Sequence, residues 1–118
     1  MTIQNSEMIS LANRAVACKG WRWMPGMLAV ARRRTPLEAV EARYRTGGTV
    51  YLGSVPDLTD PATVGCLLAL VREARREPVG FLVPMSRGGW QYHTRLDAGD
   101  SFAGDIEAEA LVVALEAA

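Results

Sequence analysis

The chain reads as an α/β protein of the α+β kind. We expect a single-domain sandwich in the order α-β-β-β-α-β-β-α, with a mixed, largely antiparallel sheet of about five strands flanked by helices. Three observations predict this. Apolar residues recur at helical spacing near both ends and in the middle; short alternating runs separate those segments; and Gly-rich turns join the runs in pairs.

The elements follow in order. NSEMISLANRAVACKG puts Met8, Leu11, Ala12, Ala15 and Val16 on one helical face, with Ser6 able to cap its start, Lys19 in the last turn and Gly20 suited to a left-handed stop. Pro25-Gly26 blocks continuation, and MLAVARR is apolar and β-branched enough for a strand. TPLEAVEARYR admits two readings. Thr35, Pro36 and Glu38 match a capping box for a short helix, whereas Val40, Ala42 and Tyr44 alternate with Glu41, Arg43 and Arg45. We favour a hairpin from AVEARYR to TVYLG, with Gly47-Gly48 supplying positive φ at its turn.

The clearest helix start is DLTDPATVGCLLALVREARREP. Asp60 is its N-cap and Pro61 its first residue; Val64, Leu67, Leu68, Val71 and Ala74 form its apolar stripe, and Pro78 closes it. VGFLVPM and WQYHTRL then read as strands joined by SRGG. DIEAEALVVALEAA is a last helix whose acids Asp105, Glu107 and Glu109 crowd the positive end of its dipole.

At 118 residues, 49% of them apolar, residues 1–118 suffice for one domain around one core. No apolar run nears the roughly 18 residues of a membrane span. MTIQNSEM lacks the basic and apolar regions of a secretory signal, and Cys18 and Cys66 read as reduced core thiols, so the expected compartment is cytoplasmic. Net charge is zero but uneven. Residues 1–50 carry +5, residues 51–96 carry +1 and residues 97–118 carry −6. Such a chain has little counterion-release drive toward nucleic acid, which argues against a duplex binder.

WRWMPGMLAV, PDLTDPATVGCLLALVREA and EAEALVVALEAA together resemble a group of small uncharacterised proteins encoded by tailed phages and prophages of high-GC bacteria. Twelve arginines against one lysine agree with such a genome. More loosely, TDPATVGCLLALV, the hairpin with GGW and AEALVVALEA are similar to the phage domain described as an α-β-α sandwich. The resemblance spans about two-thirds of the chain and implies phage origin and a host cytoplasmic setting. It carries no site residues across.

Catalytic groups are scarce. His93, on an alternating strand, is the one histidine, Asp97 is its nearest carboxylate in sequence, and no nucleophile-elbow motif or phosphate loop is present. We therefore expect no enzyme, no metal and no cofactor; an activity, if present, would be nucleotide cleavage using His93. The candidate site is a binding site. Trp21 and Trp23 lie two apart, so an extended segment would aim both indoles one way to stack on a flat base. Arg22 and the Arg32–Arg34 cluster would meet its phosphates, with Met24 alongside. Trp90, Tyr92, His93 and Arg95 offer a second aromatic-basic set. The candidate ligand residues are thus Trp21, Arg22, Trp23, Met24, Arg32, Arg34, Trp90, Tyr92, His93 and Arg95. The expected function is capture of a small nucleotide-type signal by a phage accessory, counter-defence protein. The alternative is a protein-binding inhibitor of a host defence or regulatory factor, since Trp, Met and Arg also make interface hot spots. A homodimer is expected, because sheet edges need covering.

Overall fold

Apolar periodicity sets three helices, one of them with a side-chain cap at Asp60, and the strands between them close into two small sheets. A computed structural model describes residues 5–34, 39–94 and 101–118, including all their side chains except those of residues 5, 32–34, 39 and 40. The order is α1 (Asn5–Val16), β1 (Leu28–Arg34), β2 (Ala39–Arg45), β3 (Val55–Pro56), α2 (Pro61–Arg75), β4 (Phe81–Pro84), β5 (Trp90–His93), β6 (Ser101–Gly104) and α3 (Glu107–Glu116). No described helix is long and apolar enough to cross a membrane.

Instead of one mixed sheet of five strands, two three-stranded sheets form, ordered β2-β1-β3 and β4-β5-β6, and every ladder is antiparallel. The sequence hides the reason, which is register. AVEARYR is a strand, but it pairs backward with β1, from Leu28 opposite Arg45 to Arg34 opposite Ala39. TVYLG is loop. Its backbone is held by side chains instead of a ladder: the Thr46 hydroxyl donates to the Thr49 carbonyl and accepts from Gly48 N, and Tyr51 N donates to the Tyr44 hydroxyl. Gly48 does take positive φ, 123°, as its turn requires. The capping box at Thr35–Glu38 lies outside the described residues.

α2 begins as read. Asp60 accepts from Thr63 N at 3.0 Å with Pro61 next in line. It ends earlier than Pro78, at Arg76, whose φ of 56° is left-handed and whose N–H reaches the Arg72 and Glu73 carbonyls. The buried face is Thr63, Leu67, Leu70 and Val71. Thr63 ties this helix to β1, its hydroxyl accepting from Leu28 N at 2.8 Å and donating to Asp60 Oδ2 at 2.9 Å.

On α1, Leu11, Ala12 and Ala15 are buried as the periodicity requires, while Val16, at the last position of the helix, is exposed. Gly20 is no left-handed stop. It permits close approach, since a Cβ there would lie 2.8 Å from Ala74 Cβ and 2.9 Å from Leu115 Cδ1. β6 went unread in the sequence: SFAG is four residues among Asp and Gly. α3 is the centre of the molecule, with six of its ten residues buried, and it packs against α1, α2 and the sheet of β4, β5 and β6. Cys18 and Cys66 are free and half-buried; burial pushes the Cys18 thiol up.

Candidate functional site

Residues 21–24 have no regular structure and run beside α2, between Gly20 against Ala74 and Leu28 against Thr63. The two indoles meet, with ring centroids 5.4 Å apart, but they cross at 83°. No parallel slot exists between them for a base. The expectation of two coplanar indoles fails because the segment is not a strand and so lacks the period-two alternation it assumed. Trp21 packs on the core, and its Nε1 is buried without a partner among the described residues. Trp23 and Met24 are half-buried. Arg22 is exposed, and its guanidinium is engaged by Glu73 at 2.6 Å. The side chains of Arg32 and Arg34, and Arg95 altogether, lie outside the described residues.

The second set is divided by its own strand. Trp90 and Tyr92 share one face of β5, and His93 faces the other way. His93 stacks on Phe81, its cross-strand partner, at 5.5 Å and 16°. Tyr92 is fully buried, so it contacts no ligand; burial pushes its phenol up, and its hydroxyl has no partner among the described residues. A Cβ on Gly80 would fall 1.7 Å from that hydroxyl, so glycine makes the room it occupies.

The two sets do not converge. Glu73, which holds Arg22, is nine residues from Val64, which lies beside Trp90. Nine residues are roughly two and a half turns, so the two side chains leave α2 on opposite flanks. α2 stands between them.

What the structure does build is a groove around Trp90. It is an open cavity of about 510 Å³ with Val64 and Leu68 of α2 on one wall, Leu82 and Trp90 on another, and Ile106 at the entry to α3. Among the described residues, Glu107 is the one charged group in its lining. Asp105 beside it is exposed, and Asp105 N donates to Glu109 Oε1 at 2.7 Å, which fixes this acidic lip against the first turn of α3. No family model, curated protein or solved structure matches this chain.

The groove therefore stands on its own chemistry, which is apolar with an acidic rim. It suits an apolar anchor flanked by a cation better than a phosphate. The sequence contained a signal for it. Val64 and Leu68 lie off the Thr63, Leu67 and Leu70 face, so α2 is apolar over a wider arc than one buried stripe needs. A smaller cavity of about 160 Å³ lies between α1 and the first sheet, and Arg43 at its rim is occupied by Asp57 at 3.3 Å and Glu41 at 3.1 Å.

Proposed function

We propose that this chain is a non-catalytic binding module that holds an apolar-anchored, basic segment of a partner protein in the groove beside Trp90. One observation carries the reading: an open apolar cavity of about 510 Å³ whose single charged lining residue, among those described, is Glu107. Leu68, Leu82 and Trp90 would bury the anchor, and the Glu107 lip would meet a flanking Lys or Arg. With the phage resemblance, the partner is a host defence or regulatory protein in the host cytoplasm. Nucleotide capture is the less favoured reading. The crossed indoles and the Arg22–Glu73 pair leave it without a stacking slot or a free clamp at that position.

Fluorescence polarisation tests this with three labelled probes: a peptide with two apolar anchors and a flanking lysine, its acidic counterpart, and a set of cyclic and ADP-ribose-type nucleotides. The basic peptide should bind saturably, with a loss of about tenfold or more on charge reversal or in Leu68→Glu, where about 1.4 kcal/mol suffices. Binding indifferent to Leu68→Glu, or confined to nucleotides, overturns the proposal.

A further inference from the structure

Gly65 is the odd residue in the groove. It lies at the fifth position of α2, well inside a helix of fifteen residues, where only proline is less favoured than glycine. Folded chains place glycine where φ must be positive or where another part of the molecule comes close, as at Gly48 and at Gly20 against Ala74. Gly65 has neither reason. Its φ is not positive, and a Cβ built on it would meet nothing within 4 Å among the described residues. Alanine here would strengthen the helix and clash with none of them.

The residue is exposed and lies between Val64 and Leu68 in the groove wall. On a helix surface its neighbours stand three and four positions away, at Pro61, Ala62, Leu68 and Ala69. All four are apolar, and α2 carries no charged residue before Arg72. The missing Cβ therefore leaves a hole in an apolar surface, of the kind a side chain from outside enters as a knob. Pro61 and Ala69 bound it along the helix, about 12 Å apart, which leaves room for one aliphatic side chain between them. The groove thus offers two recesses, one at Gly65 and one against Leu82 and Trp90.

We propose that Gly65 is the specificity-determining seat of the groove, where the partner's basic segment sets a leucine-sized aliphatic anchor directly on the α2 backbone while its second anchor lies against Trp90. The inference rests on the peptide-binding reading above and adds to it the residue that fixes anchor size.

Fluorescence polarisation with the labelled basic peptide, made with leucine at both anchors, tests it alongside thermal melts. Gly65→Ala should raise Tm by about 4 °C, because alanine is the better helix former, yet weaken the peptide by about tenfold. Cys66→Ala, next in sequence but outside the groove lining, should bind as the wild type does. Trimming one peptide anchor from leucine to alanine should cost the wild type about tenfold and Gly65→Ala little, whereas trimming the other should cost both proteins alike. That coupling reports contact at Gly65, which a change in helix stability alone would not produce. A peptide that loses affinity in Leu68→Glu but binds Gly65→Ala as tightly as wild type overturns this inference and leaves the groove reading standing. Equal losses in the two proteins at both anchors overturn it as well, and so does a destabilised Gly65→Ala, since the glycine would then serve the fold. Absence of saturable binding to the wild type overturns both readings.

Discussion

Replacing Tyr92 with Phe should stabilise this protein. Tyr92 has no accessible surface, and its hydroxyl finds no hydrogen-bond partner among the described residues. Burying an unsatisfied hydroxyl costs about 1–3 kcal/mol. Removing one oxygen leaves a void whose cost, at about 24 cal/mol per Å³, is only a few tenths of a kcal/mol. The net gain for Tyr92→Phe is therefore about 1 kcal/mol, or roughly 4 °C in Tm for a domain of this size. Urea unfolding followed by far-UV circular dichroism measures it, with an unchanged slope expected. pH adds a second handle. The folded phenol is pushed above its ordinary value near 10 by burial, so the stability it allows is present below that value and lost as pH rises through the folded one. The advantage of Phe should thus widen in alkali. Gly80→Ala should be strongly destabilising in both the wild type and the Tyr92→Phe variant, because its Cβ would lie 1.7 Å from the hydroxyl and 2.5 Å from the ring carbon Cζ that Phe keeps. A Tyr92→Phe variant less stable than wild type at neutral pH would refute the reasoning, since it would mean the hydroxyl is satisfied.

Three further outcomes are expected. Asp60→Ala should cost about 1 kcal/mol by removing the α2 cap, while Asp60→Asn keeps the cap and loses only the charge that Arg45 holds at 2.7 Å. Arg45 first, and then Thr63, hold the Asp60 carboxyl below its ordinary range. The difference between wild type and Asp60→Asn should therefore be present above the ordinary carboxylate pKa and vanish as pH falls through the folded value, as read by melts across acid pH. Gly104→Ala should cost about 2 kcal/mol, because its Cβ would come 2.5 Å from Ala110 N and force β6 away from α3; thermal melts check this. Glu116→Gln should change stability by less than about 0.5 kcal/mol although Arg14 grips Glu116 at 2.6 and 3.1 Å, because both side chains are well exposed. A loss above about 1 kcal/mol in urea would mean that this ion pair is worth more than exposed pairs generally are.

Local chemistry made the helices legible. The Asp60-Pro61 start, the Leu11, Ala12 and Ala15 face and the apolar run in α3 each announce themselves within a few residues. The SRGG hairpin was equally local: Gly88 and Gly89 both take positive φ, and Met85 N closes the turn on Gly89 O at 3.0 Å. Strand partnership is not local. AVEARYR lies between two segments that could each pair with it; MLAVARR takes the ladder, and hydroxyls at Thr46 and Tyr44 hydrogen-bond the TVYLG loop instead. The aromatic residues misled for a related reason. Trp21, Trp23, Trp90 and Tyr92 carry both apolar area and polar tips, so composition could not separate a ring that fills the core from one that lines a groove.

The position of α3 at the heart of the packing has a consequence for biosynthesis. It is the last described element to leave the ribosome, and until it emerges α1, α2 and the β4–β6 sheet have nothing to close around. A nascent chain lacking residues 107–116 would expose Leu11, Leu67 and Val71 together, the kind of sticky surface that chaperones clasp. Productive maturation therefore waits on the synthesis of that helix, and a stall within it would leave an open half-shell in place of a folded protein.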